Sequence, residues 1–255
     1  MPGSARARVA DIPFTETLNT QCATWRQAER LATFPRMPKV LVVFYSRTGH
    51  TARLADAIAE GAQSVPSTTV SVRRIDDIAS EDVINAQPKW KESRERLAAA
   101  YQTLSGVAEL VDFDALILGA PTRFGVVAAE LKQVLDQAGP LWAKGAFADK
   151  VGAAFTTVQT PHGGHETTLF SIMTVMANLG MILVPPGYTD RAVFSAGSPY
   201  GATSTTGTGG ATPDDLAVAR HEGKRVAIVT SWLLAGKGAE TQQRVPGFGS
   251  RVPGT

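Results

Sequence analysis

Residues 39 to 45 read Lys-Val-Leu-Val-Val-Phe-Tyr and run directly into the hexapeptide Ser46-Arg47-Thr48-Gly49-His50-Thr51. A strand that is apolar without alternation is one buried on both faces, as in a parallel sheet covered by helices. Arg53, Leu54, Ala57, Ile58 and Ala59 follow with helical spacing, so the hexapeptide is a strand-to-helix loop. Such a loop offers backbone N–H groups, the hydroxyls of Ser46, Thr48 and Thr51, and the positive end of a helix to one anion. Gly49 supplies a turn that a Cβ would hinder. The loop lacks both the Gly-x-x-x-x-Gly-Lys-Ser/Thr and the Gly-x-Gly-x-x-Gly patterns, which leaves a monophosphate ester as the expected ligand. The competing reading is an ordinary connection that happens to be rich in hydroxyls.

From Lys39 onward, strand and helix patterns alternate. Strands are expected near Val40 to Tyr45, Val70 to Arg73, Ala115 to Leu118, Val151 to Thr156 and Met181 to Val184. Helices are expected over Thr51 to Ser64, Ala128 to Gln137, Glu166 to Asn178 and Pro213 to Ser231, the last with Thr212 as its N-cap. This is the signature of an α/β fold, a doubly wound five-stranded parallel sheet of order 2-1-3-4-5 with helices on both faces. Asp76 to Gly106 forms a long crossover. One domain is expected over residues 38 to 234, preceded by a poorly ordered extension of residues 1 to 36 and followed by a disordered tail of residues 235 to 255. Met37, just ahead of the first strand, is a candidate start; a transit peptide is the rival reading of the extension, weakened by Asp11, Glu16 and Glu29.

In such a sheet, ligands bind beyond the carboxyl ends of the strands where the strand order reverses. Two further loops lie there. Gly119-Ala-Pro-Thr-Arg-Phe-Gly125 suits the edge of a planar heterocycle. The backbone N–H groups of Thr122, Arg123 and Phe124 would meet pyrimidine carbonyls and a ring nitrogen that becomes negative on reduction, and Phe124 would flank the ring. Thr157 to Glu166 is long, rich in Gly and hydroxyls, and opens another helix. A phosphate monoester joined to a heterocycle of this kind describes flavin mononucleotide, FMN. His162 is read either as a proton donor near the flavin or as a solvent-exposed loop residue; with His165 it makes a weak metal pattern, and no metal is expected. Trp142 is read as the wall of a pocket for a flat substrate, or as core. Tyr188 to Thr212 is too polar for core and is expected to line the site or to cross to a neighbouring subunit.

Composition excludes several other classes. The net charge of the 255-residue chain is +2, and its Lys and Arg residues are scattered rather than aligned, which disfavours nucleic-acid binding. Cys22 is the single cysteine, so no internal disulfide forms and a reducing, cytoplasmic compartment is the natural setting. No apolar run approaches the ~20 residues of a spanning helix, and no membrane insertion is expected.

Taken together, Lys39-Val-Leu-Val-Val-Phe-Tyr-Ser-Arg-Thr-Gly-His50, Gly119-Ala-Pro-Thr-Arg-Phe-Gly125, Leu135-Asp-Gln-Ala-Gly-Pro-Leu-Trp142, Ser198-Pro-Tyr-Gly-Ala-Thr203 and Ala217-Val-Ala-Arg220 resemble the WrbA family of NAD(P)H:quinone oxidoreductases in the flavodoxin superfamily. The resemblance implies FMN held at its phosphate by Ser46, Arg47, Thr48, Gly49, His50 and Thr51, and at its ring by Thr122, Arg123 and Phe124. It also implies contacts from Thr157, Val158, Gln159, Thr160 and Gly163, with Trp142 over the substrate and a nicotinamide contact near Thr48. Asn178 stands where some relatives place a flavin-contacting His and is counted with the cofactor contacts. The third loop departs from the family by reading Val-Gln-Thr-Pro-His-Gly-Gly in place of a Thr-Gly-Thr-Gly-Gly stretch. The implied activity is two half-reactions at one flavin face, with NAD(P)H and then a quinone, hence ping-pong kinetics and protection against oxidative stress. The implied assembly is a homotetramer in which subunits complete each other's sites. An electron-carrier flavodoxin is the first alternative, although such carriers are strongly acidic and small. An accessory protein of a transcriptional repressor is the second, and no recognition-helix motif supports it.

Overall fold

The computed structural model describes residues 37–239, so the expectations for residues 1–36 and 240–255 lie outside the described residues. Seven strands are present among them: β1 (Lys39–Phe44), β2 (Thr69–Arg74), β3 (Ala115–Arg123), β4 (Val126–Val127), β5 (Val151–Val158), β6 (Ile182–Leu183) and β7 (Thr203–Thr205). The helices are α1 (His50–Gln63), α2 (Glu81–Asn85), α3 (Pro88–Ala100), α4 (Ala129–Asp136), α5 (Gly139–Trp142), α6 (His165–Asn178), α7 (Ala192–Ser195) and α8 (Pro213–Ala239).

The parallel strands lie side by side as β2-β1-β3-β5-β6, with Val40 opposite both Val70 and Ala115, and Ala115 opposite Val151. The two short additions make the sheet one of seven strands where five were expected. β4 folds back antiparallel on β3, and β7 runs parallel to β5. The outer neighbour of β5 is therefore split: β6 pairs with Val151 and Gly152, whereas β7 pairs with Thr156 to Val158. The intervening residues, expected to be too polar for core, bury Val193, Ser198 and Ala202 and return the chain to the sheet.

Alternation along the strands sends side chains to opposite faces. Leu41, Val43, Leu116, Leu118 and Ala154 join Leu131, Leu135, Leu169, Ile172 and Met176 in one core cluster, so α4 and α6 cover that face. α1 and α8 pack on each other and on the sheet, burying Leu54, Ile58, Val218 and Val226. Small residues permit this: a Cβ on Gly223 would fall 1.9 Å from the Ile58 carbonyl oxygen, and one on Gly61 1.9 Å from that of Arg220. Every residue of β5 is buried, as a strand covered on both faces requires.

α8 begins as its sequence predicts. The Thr212 hydroxyl accepts the Asp215 N–H at 3.1 Å, and the Asp215 carboxylate accepts the Thr212 N–H at 2.9 Å, a reciprocal capping box. The helix runs to Ala239, past the expected domain end at residue 234, so residues 235–239 are helix where tail was expected. The expected crossover is also better ordered than its polar sequence suggests: it carries α2 and α3.

Candidate functional site

A cleft of about 340 Å³ opens at the carboxyl ends of β1, β3 and β5, where the strand order reverses. Its volume lies within the ~300–1,000 Å³ typical of small-molecule sites. The three expected loops converge on it. Ser46, Arg47, Thr48, His50 and Thr51 come from the first, Thr122 and Arg123 from the second, and Thr157, Val158 and Gln159 from the third.

The first loop is built for an anion. Gly49 adopts φ +91°, and its N–H donates to Ser46 Oγ at 3.0 Å, which closes the turn. No side chain caps α1 and no acidic residue occupies its first turn, so its leading N–H groups have no side-chain acceptor. The Thr51 hydroxyl, almost fully buried, meets the Thr157 hydroxyl at 2.9 Å and ties α1 to the end of β5. This cradle of amides and hydroxyls fits the phosphate of FMN.

The second loop differs from its expectation. Strand pairing continues through Gly119-Ala-Pro-Thr-Arg123, and a two-residue hairpin, Phe124-Gly125, returns the chain to β4. Both turn residues have positive φ, 53° and 85°, as a hairpin of this length favours. Thr122 Oγ1 accepts the Gly125 N–H at 3.1 Å and the Thr168 hydroxyl at 2.8 Å, which fixes the strand end over the cleft. Phe124, expected to flank the ring, is instead fully exposed at the hairpin tip and does not line the cleft.

Other expected residues also stand outside it. Thr160 and His162 are exposed on the third loop, whose turn is closed by the Gly163 N–H donating to the Thr160 carbonyl. Gly163 is not among the lining residues, and its carbonyl accepts the Thr122 hydroxyl at 3.4 Å. Asn178 is the last residue of α6, a helix that starts beside the cleft and leads away from it, and its amide donates to the Thr174 carbonyl. Fourteen helical residues span about 21 Å, so Asn178 is at the far end of the sheet from the cleft of its own chain. Trp142 ends α5 on the segment that returns to the amino end of β5; its side chain is 57% exposed and does not line the cleft.

The structure adds Gln87, Pro121 and Thr206 to the lining. Gln87 arrives from the crossover, held by a small network. Asp77 Oδ1 accepts the Tyr45 hydroxyl at 2.8 Å and the Trp90 indole N–H at 2.9 Å, and Arg47 stacks on the Trp90 ring while donating to Gln87 Oε1 at 2.9 Å. Burial, aided by the bond to Asp77, raises the Tyr45 hydroxyl pKa far above its ordinary range, so it remains a donor. No local pattern in the polar crossover marks Gln87 or Trp90; Thr206 lies within Tyr188 to Thr212, the segment expected to line the site.

Comparison with known proteins bears on the family and the fold. Residues 38–192 match the NADPH-dependent FMN reductase family. A NAD(P)H dehydrogenase (quinone) of Azorhizobium caulinodans is 44% identical over 206 residues, 78% of this chain and 100% of that protein. One from Trichlorobacter lovleyi is 38% identical, with coverage of 78% and 100%. Among solved structures, the flavodoxin, WrbA-like protein from Agrobacterium tumefaciens superposes with a TM-score of 0.56 at 26% identity, covering 76% of this chain and 98% of that one. Flavodoxin 2 from Bacillus cereus shares the fold, with a TM-score of 0.50 at 16% identity and coverage of 74% and 97%. The chain therefore belongs to the NADPH-dependent FMN reductase family, in its WrbA-like branch.

Proposed function

We propose that this protein is an FMN-dependent NAD(P)H:quinone oxidoreductase. The observation that carries the reading is the meeting of the uncapped α1 loop, the strand end at Thr122 and Arg123, and the end of β5 on one cleft. Ser46, Thr48, Thr51 and the α1 amides would hold the phosphate of FMN, and Thr122, Arg123, Val158 and Gln159 would hold its ring system. When bound, FMN supplies two-electron exchange with a nicotinamide and with a quinone, and a site shared by both gives ping-pong kinetics.

The protein's own part is positional. Arg123, in the cleft without an ion pair among the described residues, favours negative charge on the ring edge. No side chain need act as nucleophile. His162 has no contact with the cleft and would serve as a proton donor only through movement of its loop.

A homotetramer is part of the same reading. The tilted ring pairs Phe170–Tyr200 and Tyr188–Phe194 leave aromatic surface exposed, as an interface does. Trp142 and Asn178, remote from the cleft of their own chain, would meet a substrate or cofactor only at a neighbour's site. No helix among the described residues is long and apolar enough to cross a membrane. A cytoplasmic location, in keeping with the single cysteine, and protection against oxidative stress through two-electron quinone reduction complete the proposal.

Initial-rate kinetics test it. With NADH or NADPH varied at several benzoquinone concentrations, parallel double-reciprocal lines and turnover well above that of free FMN are expected. Turnover equal to that of free FMN would favour the electron-carrier alternative.

A further inference from the structure

The electrostatics of the first loop are unbalanced, and the imbalance points to a residue outside the cleft lining. A helix N-terminus carries partial positive charge and is stabilised by acidic side chains. Here the first turn of α1 holds Arg53 and no acid, Arg47 precedes it, and Arg96 of α3 closes on it from the crossover. A Cβ built on Gly49 would fall 2.5 Å from Arg96 Nη2 and 3.4 Å from its Cζ, so the guanidinium lies against the loop backbone where any other residue would place a side chain. Ser93, buried beneath it, accepts Arg96 Nη2 through Oγ at 3.3 Å. Arg73, Arg74, Arg94 and Arg220 each face a carboxylate. Arg47 and Arg96 have no ion pair among the described residues. Asp56 of α1 accepts the Tyr101 hydroxyl, which lies 2.9 and 2.8 Å from its two carboxylate oxygens.

Like charges gathered at the positive end of a helix repel one another unless an anion joins them. We propose that Arg96 is a phosphate-binding residue of the cofactor site, its guanidinium supplying counter-charge to the FMN phosphate at the Gly49 corner of the loop. The crossover is then more than a wall. Its helix α3 is drawn onto the loop by the phosphate, and Gln87, just ahead of that helix, is carried into the cleft. This inference rests on the FMN reading and adds a residue for which sequence pattern gives no sign.

The test compares FMN with riboflavin, which has the same ring and no phosphate. Flavin is removed from the full-length protein, and flavin fluorescence quenching is followed at low and high salt for wild type, Arg96→Gln and Arg96→Lys. Arg96→Gln is expected to weaken FMN about tenfold, the scale of one charge-assisted contact, while riboflavin affinity is unchanged. The salt dependence of FMN binding falls with it, and Arg96→Lys restores most of the affinity. Equal FMN affinity in wild type and Arg96→Gln would overturn the proposal, as would a parallel loss of FMN and riboflavin. Failure of the wild-type protein to bind FMN at all would instead overturn the functional reading beneath it.

Discussion

The Arg47 guanidinium carbon lies 3.6 Å from the centre of the Trp90 ring, which joins the Ser46–Thr51 loop to a helix that the sequence places about forty residues away. Trp90 is nearly buried, and its indole N–H is committed to Asp77. Trp90→Phe keeps a ring beneath Arg47 but removes that hydrogen bond, at a cost of about 1 kcal/mol of stability. Trp90→Ala also removes the packing and the cation–π contact, for about 3–5 kcal/mol. Urea unfolding of both variants checks this order; equal stability for the two would contradict it.

The buried hydroxyl pair of Thr51 and Thr157 is a second joint of the site. Thr157→Val leaves the Thr51 hydroxyl without that partner, at a cost of about 1–3 kcal/mol. FMN affinity should fall as well, because α1 and β5 both contribute to the cleft. Thermal unfolding paired with an FMN titration reads both effects, and a variant unchanged in both would refute the role given to the pair.

Gly223 tests the packing of α8 on α1. In an isolated helix, Gly→Ala gains about 1 kcal/mol. Here the new Cβ meets the Ile58 carbonyl oxygen at 1.9 Å, a backbone atom that cannot swing aside. Gly223→Ala is therefore expected to destabilise by about 1–3 kcal/mol or more despite its better propensity. A raised unfolding midpoint would show that the helices are not in contact there.

Glu222 makes stability depend on pH. It is fully buried, its Oε2 accepts the Ala202 N–H at 3.0 Å, and burial raises its pKa from 4.5 to about 8. A carboxyl raised in the folded state favours folding in its protonated form. Its contribution is complete below pH 4.5 and is lost as the pH rises toward 8, by up to ~1.4 kcal/mol per pH unit. Its neighbour His221, held below its usual value of 6.5 by burial, works the other way, losing its contribution as the pH falls. Comparing wild type with Glu222→Gln cancels the histidine. The variant's relative stability should increase between about pH 5 and pH 8; a difference independent of pH would contradict the assignment.

Where a single physical rule acts on contiguous residues, sequence and structure agree. The apolar runs of β1, β3 and β5 and the capping residues Thr212 and Pro213 dictate their elements locally, and the turn at Gly49 follows from the composition of its own loop. What the sequence conceals depends on pairing across the chain. Nothing near Phe124 shows that Arg123 will pair with Val126 and turn a loop into a hairpin. Likewise β7 is too short to announce itself, and exists because β5 offers a free edge beyond the end of β6. Asn178 and Trp142 stand away from the cleft of their own chain for a related reason: resemblance assigns them a role, whereas helix length and direction decide which end of the sheet they reach. Gln87 comes to the cleft through Asp77 and Trp90, contacts that no spacing in a polar crossover reveals.

The visible spectrum of the purified full-length protein, recorded anaerobically through additions of NAD(P)H and then benzoquinone, tests the central claim most directly. An oxidised flavin spectrum that bleaches with the first addition and returns with the second is the expected result. A protein that is colourless and takes up no added FMN would contradict the account at its foundation.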